Sequence, residues 1–198
     1  MPNKKNRKKK QLARSGGAAA VRTPVPVEAV LQLAASGQRG QLEQLIANGS
    51  IDDINGATND GFTPLFVACQ EGHKDVTQLL LAARASVDQA PNDGFTPLHI
   101  ACQKGHKDLA QLLVSAGASV NQAPNTGTTP LYIACQKGHK DLAQLLVSAG
   151  ANVDQATKDG TTPLYIVCQE GHKDLAQLLV SAGANVDQAR NTGSTPLY

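Results

Sequence analysis

Residues Asp60–Asn92 read DGFTPLFVACQEGHKDVTQLLLAARASVDQAPN, and the same pattern restarts at Asp93, Thr126, Asp159 and Thr192, each step being 33 residues. The text DLAQLLVSAGA is identical at Asp108–Ala118, Asp141–Ala151 and Asp174–Ala184. Self-similarity at one fixed period marks a repeat architecture, in which each unit is one supersecondary element. The chain therefore holds four full copies of one unit and the first seven residues of a fifth.

Thr63-Pro64 is a helix start: Thr offers its hydroxyl as N-cap, and Pro suits the first helical position, where its missing N–H is not needed. The short helix from Pro64 runs into Gly72, which can take the left-handed conformation that ends a helix. A second helix carries Val76, Leu79 and Leu80, an apolar stripe at spacings of three and four, and stops near Ala83. Arg84 follows where the later copies have Gly117, Gly150 and Gly183; either it keeps the left-handed helix end, at a cost of about 1 kcal/mol for a non-glycine, or it marks an altered junction beside the cap. The stretch from Val87 through Asn92 to Asp93-Gly94 is predicted to be extended, with a tight turn. One unit is thus two short antiparallel helices and a protruding hairpin, and its leucines can be buried only against neighbouring copies.

These residues resemble the ankyrin repeats. The matching features are the 33-residue period, the Gly-x-Thr-Pro-Leu start, the Gly-His between helices, the Leu-Leu pair and the Ala-Gly-Ala exit. The resemblance covers Asp60 to Tyr198 closely. It implies an all-α solenoid of stacked helix-turn-helix units with hairpin loops, acting as a non-catalytic protein-interaction module whose partners bind in the curved groove.

Residues 27–59 read as a degenerate copy, with Leu31, Leu33, Ala34 and Ala35 in one helix and Leu42, Leu45 and Ile46 in the other. The Thr-Pro start is missing and Gln, Arg and Asn replace apolar groups, as a solubilising cap requires. The expected organisation is a tail over 1–26 and a repeat domain over 27–198, with repeats at about 27–59, 60–92, 93–125, 126–158, 159–191 and a partial one at 192–198. The last full pair has no polar copy after it, so either the chain is a fragment or something else covers its apolar edge; the need for capping repeats favours a fragment.

The net charge of +2 hides a division. Residues 1–22 hold eight basic groups and no acid, while the remainder holds ten basic and sixteen acidic groups, a net −6. The spaced prolines Pro24 and Pro26, Ser-Gly-Gly-Ala-Ala-Ala and the charge run predict a disordered arm and linker. Within it Lys4, Lys5, Arg7, Lys8, Lys9 and Lys10 resemble a nuclear-import signal that an import receptor could read, giving an expected cytoplasmic or nuclear location. A nucleic-acid-associated protein working through this arm is the rival reading, and the acidic body would not help it. A recognition fragment of a longer enzyme or ubiquitin-ligase subunit is a third. No apolar run approaches the roughly 18 residues that a membrane span needs.

Cys69, Cys102, Cys135 and Cys168 occupy one column of the repeat, and His73, His106, His139 and His172 another. Stacked copies stand about 8–10 Å apart, too far for a disulfide, and neither column has the close ligand spacing of a tetrahedral metal site. Both columns are expected to be structural, with no metal and no cofactor. His99 completes a Thr-Pro-Leu-His, which in the family joins a local hydrogen-bond network. Because the other copies carry Phe66, Tyr132, Tyr165 and Tyr198 there, that network is expected to be reduced. Asp75, Asp108, Asp141 and Asp174 should favour the start of each second helix through its dipole. No nucleophile elbow, phosphate loop, kinase set or dinucleotide fingerprint occurs, so no catalytic residue is assigned.

The six aromatics fall into two columns: Phe62 and Phe95 just after the hairpin glycine, and Phe66, Tyr132, Tyr165 and Tyr198 at the first helix. They either pack hairpin against helix or project into the groove as anchors. The second helices scarcely vary while the hairpin tips differ, which suits a rigid frame with variable contacts. The candidate partner-binding residues are Phe62, Phe95, Thr128 and Thr161, with Lys158 and Arg190 at the tips; Phe95 is the best single anchor. The protein is expected to be a monomer.

Overall fold

The computed structural model describes residues 25–196; the basic run at residues 4–10, most of the predicted arm, and Tyr198 lie outside them. Ten helices follow one another among the described residues. The first helices of successive units are α1 (Val27–Ala35), α3 (Pro64–Glu71), α5 (Pro97–Lys104), α7 (Pro130–Gln136) and α9 (Pro163–Gln169). The second helices are α2 (Arg39–Ala47), α4 (Lys74–Ala82), α6 (Lys107–Ser115), α8 (Lys140–Ser148) and α10 (Lys173–Ser181). Each helix packs on its partner within the pair and on the equivalent helix of the next pair, so two parallel rows build a solenoid.

The four Thr-Pro starts form caps. Thr63, Thr129 and Thr162 accept from the N–H groups of Phe66, Tyr132 and Tyr165 at 3.2, 3.1 and 3.1 Å, with Pro in the first turn. Gly72 and Gly105 close α3 and α5 in the left-handed region. The core is one continuous strip running through all five pairs. In each unit it consists of a leucine from the first helix (Leu65, Leu98, Leu131, Leu164) and two apolar residues from the second, such as Leu109 and Leu113. Each of these leucines is nearly fully buried, worth about 2–3 kcal/mol apiece relative to exposure. In the first pair Val30, Leu31, Ala34 and Leu42 do this work, while Leu33 and Leu45 are half-buried.

Three kinds of side-chain connector bind successive pairs, two of them at all four junctions and the lysine–aspartate pair at the last three. The imidazole of His106 lies over Gly72, where a Cβ would come within 3.0 Å of the ring; His139 over Gly105 and His172 over Gly138 repeat the arrangement. His73 covers Gly37 in the same way, and its Nε2 bonds the Ala35 carbonyl at 2.8 Å. These glycines are thus needed twice, for the positive φ and for the space. Lys74, Lys107 and Lys140 reach Asp108, Asp141 and Asp174 of the following unit at 2.8, 2.9 and 3.0 Å. The aspartates lie in the first turns of their helices, as expected, and in addition serve the neighbouring repeat; such exposed pairs add little stability and more to register. Third, Asn55, Asp88, Asn121 and Asp154 accept from the backbone N–H groups of Ser86, Ser119, Asn152 and Asn185, each 31 residues on.

The predicted extended segment differs from what is found: no described residue is in a strand. The tip is a tight turn, in which Thr58 N–H donates to the Phe62 carbonyl at 3.1 Å and Gly61 N–H to the Thr58 carbonyl at 2.8 Å. The first of these bonds cannot form at Pro91 or Pro124, which have no N–H to give. Adjacent tips are joined instead, by Asn92 N–H to Asp60 C=O at 2.9 Å, Lys158 to Thr126 at 2.9 Å and Asn191 to Asp159 at 3.1 Å. A ladder needs more than one such bond per pair, so the hairpins stack as turns.

The cysteine column is core. Cys69, Cys102 and Cys135 are free and fully buried, and burial pushes the thiols of Cys69 and Cys135 up to about 12. Cys168 departs from the column because it is only half-buried, its thiol raised by a lesser desolvation. On the same pair Val180 is 49% exposed. In the native protein at pH 8, Cys69, Cys102 and Cys135 should stay silent to a thiol reagent until the array opens. Labelling of any of these three in the folded protein would contradict this packing.

Arg84 has φ +65°, the one left-handed non-glycine among the described residues. At the equivalent Gly117, Gly150 and Gly183 a Cβ would meet nothing within 4 Å, so the cost of a side chain is conformational alone. Arg84→Gly should therefore stabilise by about 1 kcal/mol, read as a rise of about 2–4 °C in Tm; no change or a fall would show that the side chain contributes more than its backbone costs.

Candidate binding groove

Stacking in register places the hairpin tips beside the open faces of the first helices, and the angle between them is a groove. Its larger depression, about 590 Å³, is lined by Phe95, Ile100, Gln103, Thr128, Tyr132 and Gln136, with Asp93, Lys137 and Asp159 among its charged residues. A smaller depression of about 460 Å³ lies toward the N-terminal end, between Leu31, Ala35, Phe62 and Val67, with Glu28 and Gln70 beside them. Phe62, Phe95 and Thr128, three of the residues singled out from sequence, thus line one surface with the first helices.

Phe62 and Phe95 pack hairpin against helix and also border the groove. Phe62 meets Phe66 at 5.3 Å between ring centroids, tilted by 54°, and Phe95 meets His99 edge-on at 5.4 Å and 85°. One edge of each phenylalanine therefore packs the hairpin on its helix, while the ring stays half-buried and walls the groove. An aromatic fixed on one side and open on the other offers contact area at small entropic cost.

His99 holds the larger depression from beneath and is fully buried. Its Nδ1 accepts from Thr96 N–H at 3.0 Å and stands 2.7 Å from the Thr96 hydroxyl, while Nε2–H donates to the Thr128 carbonyl of the next unit at 3.1 Å. The network expected to be reduced is complete here and absent from the other copies, where Thr caps the helix alone. Desolvation pushes the imidazole down to about 4, against the pull of the Thr128 and Gln122 carbonyls and of Asp93.

Two other candidates are committed elsewhere. Thr161 is buried and its hydroxyl donates to Asp159 at 2.7 Å, so the side chain braces the turn and presents no contact surface. Arg190 pairs with Asp159 and lies 4.9 Å above the centroid of Tyr165. Hydrogen bonds from Thr157, Thr161 and Arg190 hold the Asp159 carboxyl far below the usual carboxylate range. The 31-residue interval from Asp159 to Arg190, the same as in the backbone connectors, is the sequence signal that could have revealed this pair. Lys158 remains exposed at its tip. The sequence reading also missed the apolar floor made by Leu31, Val67 and Ile100, because those side chains look like ordinary helix positions until the curvature is known.

No three His, Cys, Asp or Glu side chains among the described residues come together as a metal ion would require, and no described helix is long and apolar enough to cross a membrane. A family model described as ankyrin repeats (3 copies) matches the chain over residues 28–124, 82–157 and 149–198.

The His99 geometry sets a pH dependence. The folded imidazole at about 4 lies below the ordinary 6.5, so the unfolded chain binds the extra proton between those values and stability falls as pH drops from 6.5 to 4. The loss is at most about 3 kcal/mol, and it precedes titration of Asp108, held low by Lys74, and of Asp159, held low by the Thr157 and Thr161 hydroxyls and Arg190. His99→Tyr, the residue that the three later copies carry there, should flatten denaturation midpoints across that window. An unchanged slope in the variant would remove His99 as the cause.

Proposed function

The chain belongs to the ankyrin-repeat family, whose members are interaction modules for protein partners, and on that premise we propose that this protein acts without catalysis by presenting its concave groove to a protein surface. The observation carrying the proposal is the contrast between the two faces. The outer helices α6, α8 and α10 have one identical sequence, KDLAQLLVS, and spend their first-turn charges on the neighbouring repeat. The groove changes along its length: Phe62 and Phe95 wall it in the first two full units, Thr128 and Tyr132 line it in the third, and in the fourth Thr161 and Arg190 close on Asp159. A partner reading the outer face meets the same text three times. One lying in the groove meets an aromatic wall at Phe62 and Phe95, then Thr128 beside Tyr132, so its position along the array is marked, which is what selectivity needs.

Within this reading Phe95 is the central anchor, flanked by Phe62 and Thr128, with Lys158 contributing charge at the rim. The mechanism is preorganisation. The connectors fix the hairpins before a partner arrives, so association does not have to order them.

Once a partner is in hand, Phe95→Ala should weaken binding by about 1–2 kcal/mol or more, while Gln111→Ala and Gln144→Ala on the exposed outer helices should leave it unchanged. Melting temperatures of each variant separate lost packing from lost contact. Weakening by the glutamine changes with Phe95→Ala silent would move the interface to the outer face.

A further inference from the structure

Asp-Gly-Phe occurs twice, at Asp60–Phe62 and Asp93–Phe95, one repeat apart. At both places an exposed carboxylate stands two residues from a half-buried ring that walls the groove. The following copies do not reproduce the pair. The third has Thr126 and Thr128 in its place, and the fourth has Asp159 neutralised by Arg190 next to the buried Thr161. Asp60 and Asp93 have no ion-pair partner among the described residues. No Lys or Arg occurs in residues 41–73 or 85–103, which hold both tips, α3 and all of α5 but its last residue, Lys104; Lys137 lies in the same depression as Asp93 without pairing with it, and Glu28 adds a further carboxylate at the N-terminal depression. Asp93 uses Oδ1 to accept from Phe95 N–H at 3.0 Å and stays exposed. The N-terminal half of the groove is therefore apolar at its wall and negative at its rim, twice over.

Resting on the groove reading above, we propose that this half receives an extended protein segment, supplied in trans, that repeats a bulky apolar residue beside a Lys or Arg. The apolar side chain packs against Phe62 or Phe95, and the cation meets Asp60 or Asp93. The repeat distance follows from geometry. Stacked helices stand about 8–10 Å apart, and a chain in the polyproline-II form advances about 3.1 Å per residue with three residues per turn, so two apolar–basic pairs three residues apart in the ligand lie on one face and match the spacing of the units. Charge complementarity selects a basic partner over an acidic one and steers its approach, with a dependence on ionic strength.

The test uses the full chain as bait for a phage-displayed library of random dodecapeptides. The selected peptides should be enriched in apolar–Lys/Arg pairs at three-residue spacing, and their binding should weaken as salt rises. On Asp60→Asn/Asp93→Asn, which keeps an oxygen for the Phe95 N–H, the Lys/Arg enrichment should vanish while apolar residues are still selected. On Phe62→Thr/Phe95→Thr, the residue that the third and fourth copies carry there, the same peptides should bind about tenfold more weakly or worse; circular dichroism and Tm verify that both variants are folded. Peptides with no basic preference, an undiminished basic preference on the Asn variant, or no selected peptide at all would overturn the proposal and leave the groove reading standing. Peptides weakened by Gln111→Ala and Gln144→Ala but not by Phe62→Thr/Phe95→Thr would overturn both. Displacement of the peptides by a synthetic peptide of residues 1–24 would assign the site to the chain's own basic arm and likewise overturn binding in trans.

Discussion

A helix pair of this kind has apolar residues on both of its broad sides and too little chain to fold over either. Leu98 on α5 and Leu113 on α6 are buried because pairs before and after them supply the missing walls. Stability is consequently a property of interfaces between copies, and every other feature depends on keeping those interfaces in one register. Apolar burial alone would tolerate some sliding, since it is roughly proportional to area and indifferent to direction. The directional contacts remove that freedom: an imidazole over a glycine, a lysine on the next aspartate, and an Asn or Asp oxygen on a backbone N–H 31 residues away.

The same connectors explain how the first pair differs. In α2 the places of His73 and Asp75 are taken by Gln38 and Gly40, so this pair offers neither the ring nor the carboxylate with which later copies reach back. It keeps Gly37, which receives His73, and Leu42, which completes the core on one side only. A pair with one adhesive side and one polar side is what solubility requires of an end.

Register also makes the groove. Three of the four junctions join adjacent tips through one backbone bond, and the tips of Phe62 and Phe95 are held on their own helices by an aromatic contact that leaves the rings half-buried. His99 joins both functions, since its ring supports Phe95 while Nε2 binds the carbonyl of Thr128 in the next unit. The groove changes character along its length, from apolar with unpaired carboxylates at the N-terminal tips to a closed cluster of Asp159, Thr161, Arg190 and Tyr165 near the other end.

The architecture was legible in the sequence because it is periodic. A 33-residue repeat with Thr-Pro starts, Gly-His junctions and paired leucines fixes helix ends, helix faces and the order of stacking, and each of these depends on contacts within one unit or on its simple repetition. The left-handed Arg84 and the buried cysteine column followed from comparing copies with one another. What the sequence could not decide were the contacts between non-equivalent residues of neighbouring units. Arg190 and Thr161 look like free tip residues until the stack brings Asp159 between them, and Cys168 looks like its three counterparts until its surroundings are seen to be thinner. The extended hairpin failed for a related reason: beyond the turn bond from its glycine, each tip closes with at most one bond of its own, none at Pro91 or Pro124, and meets its neighbour through at most one more backbone bond, which is too few for a ladder. Which side chains face the groove, and which are spent inside it, depends on the angle between stacked units, and only the tertiary structure sets that angle.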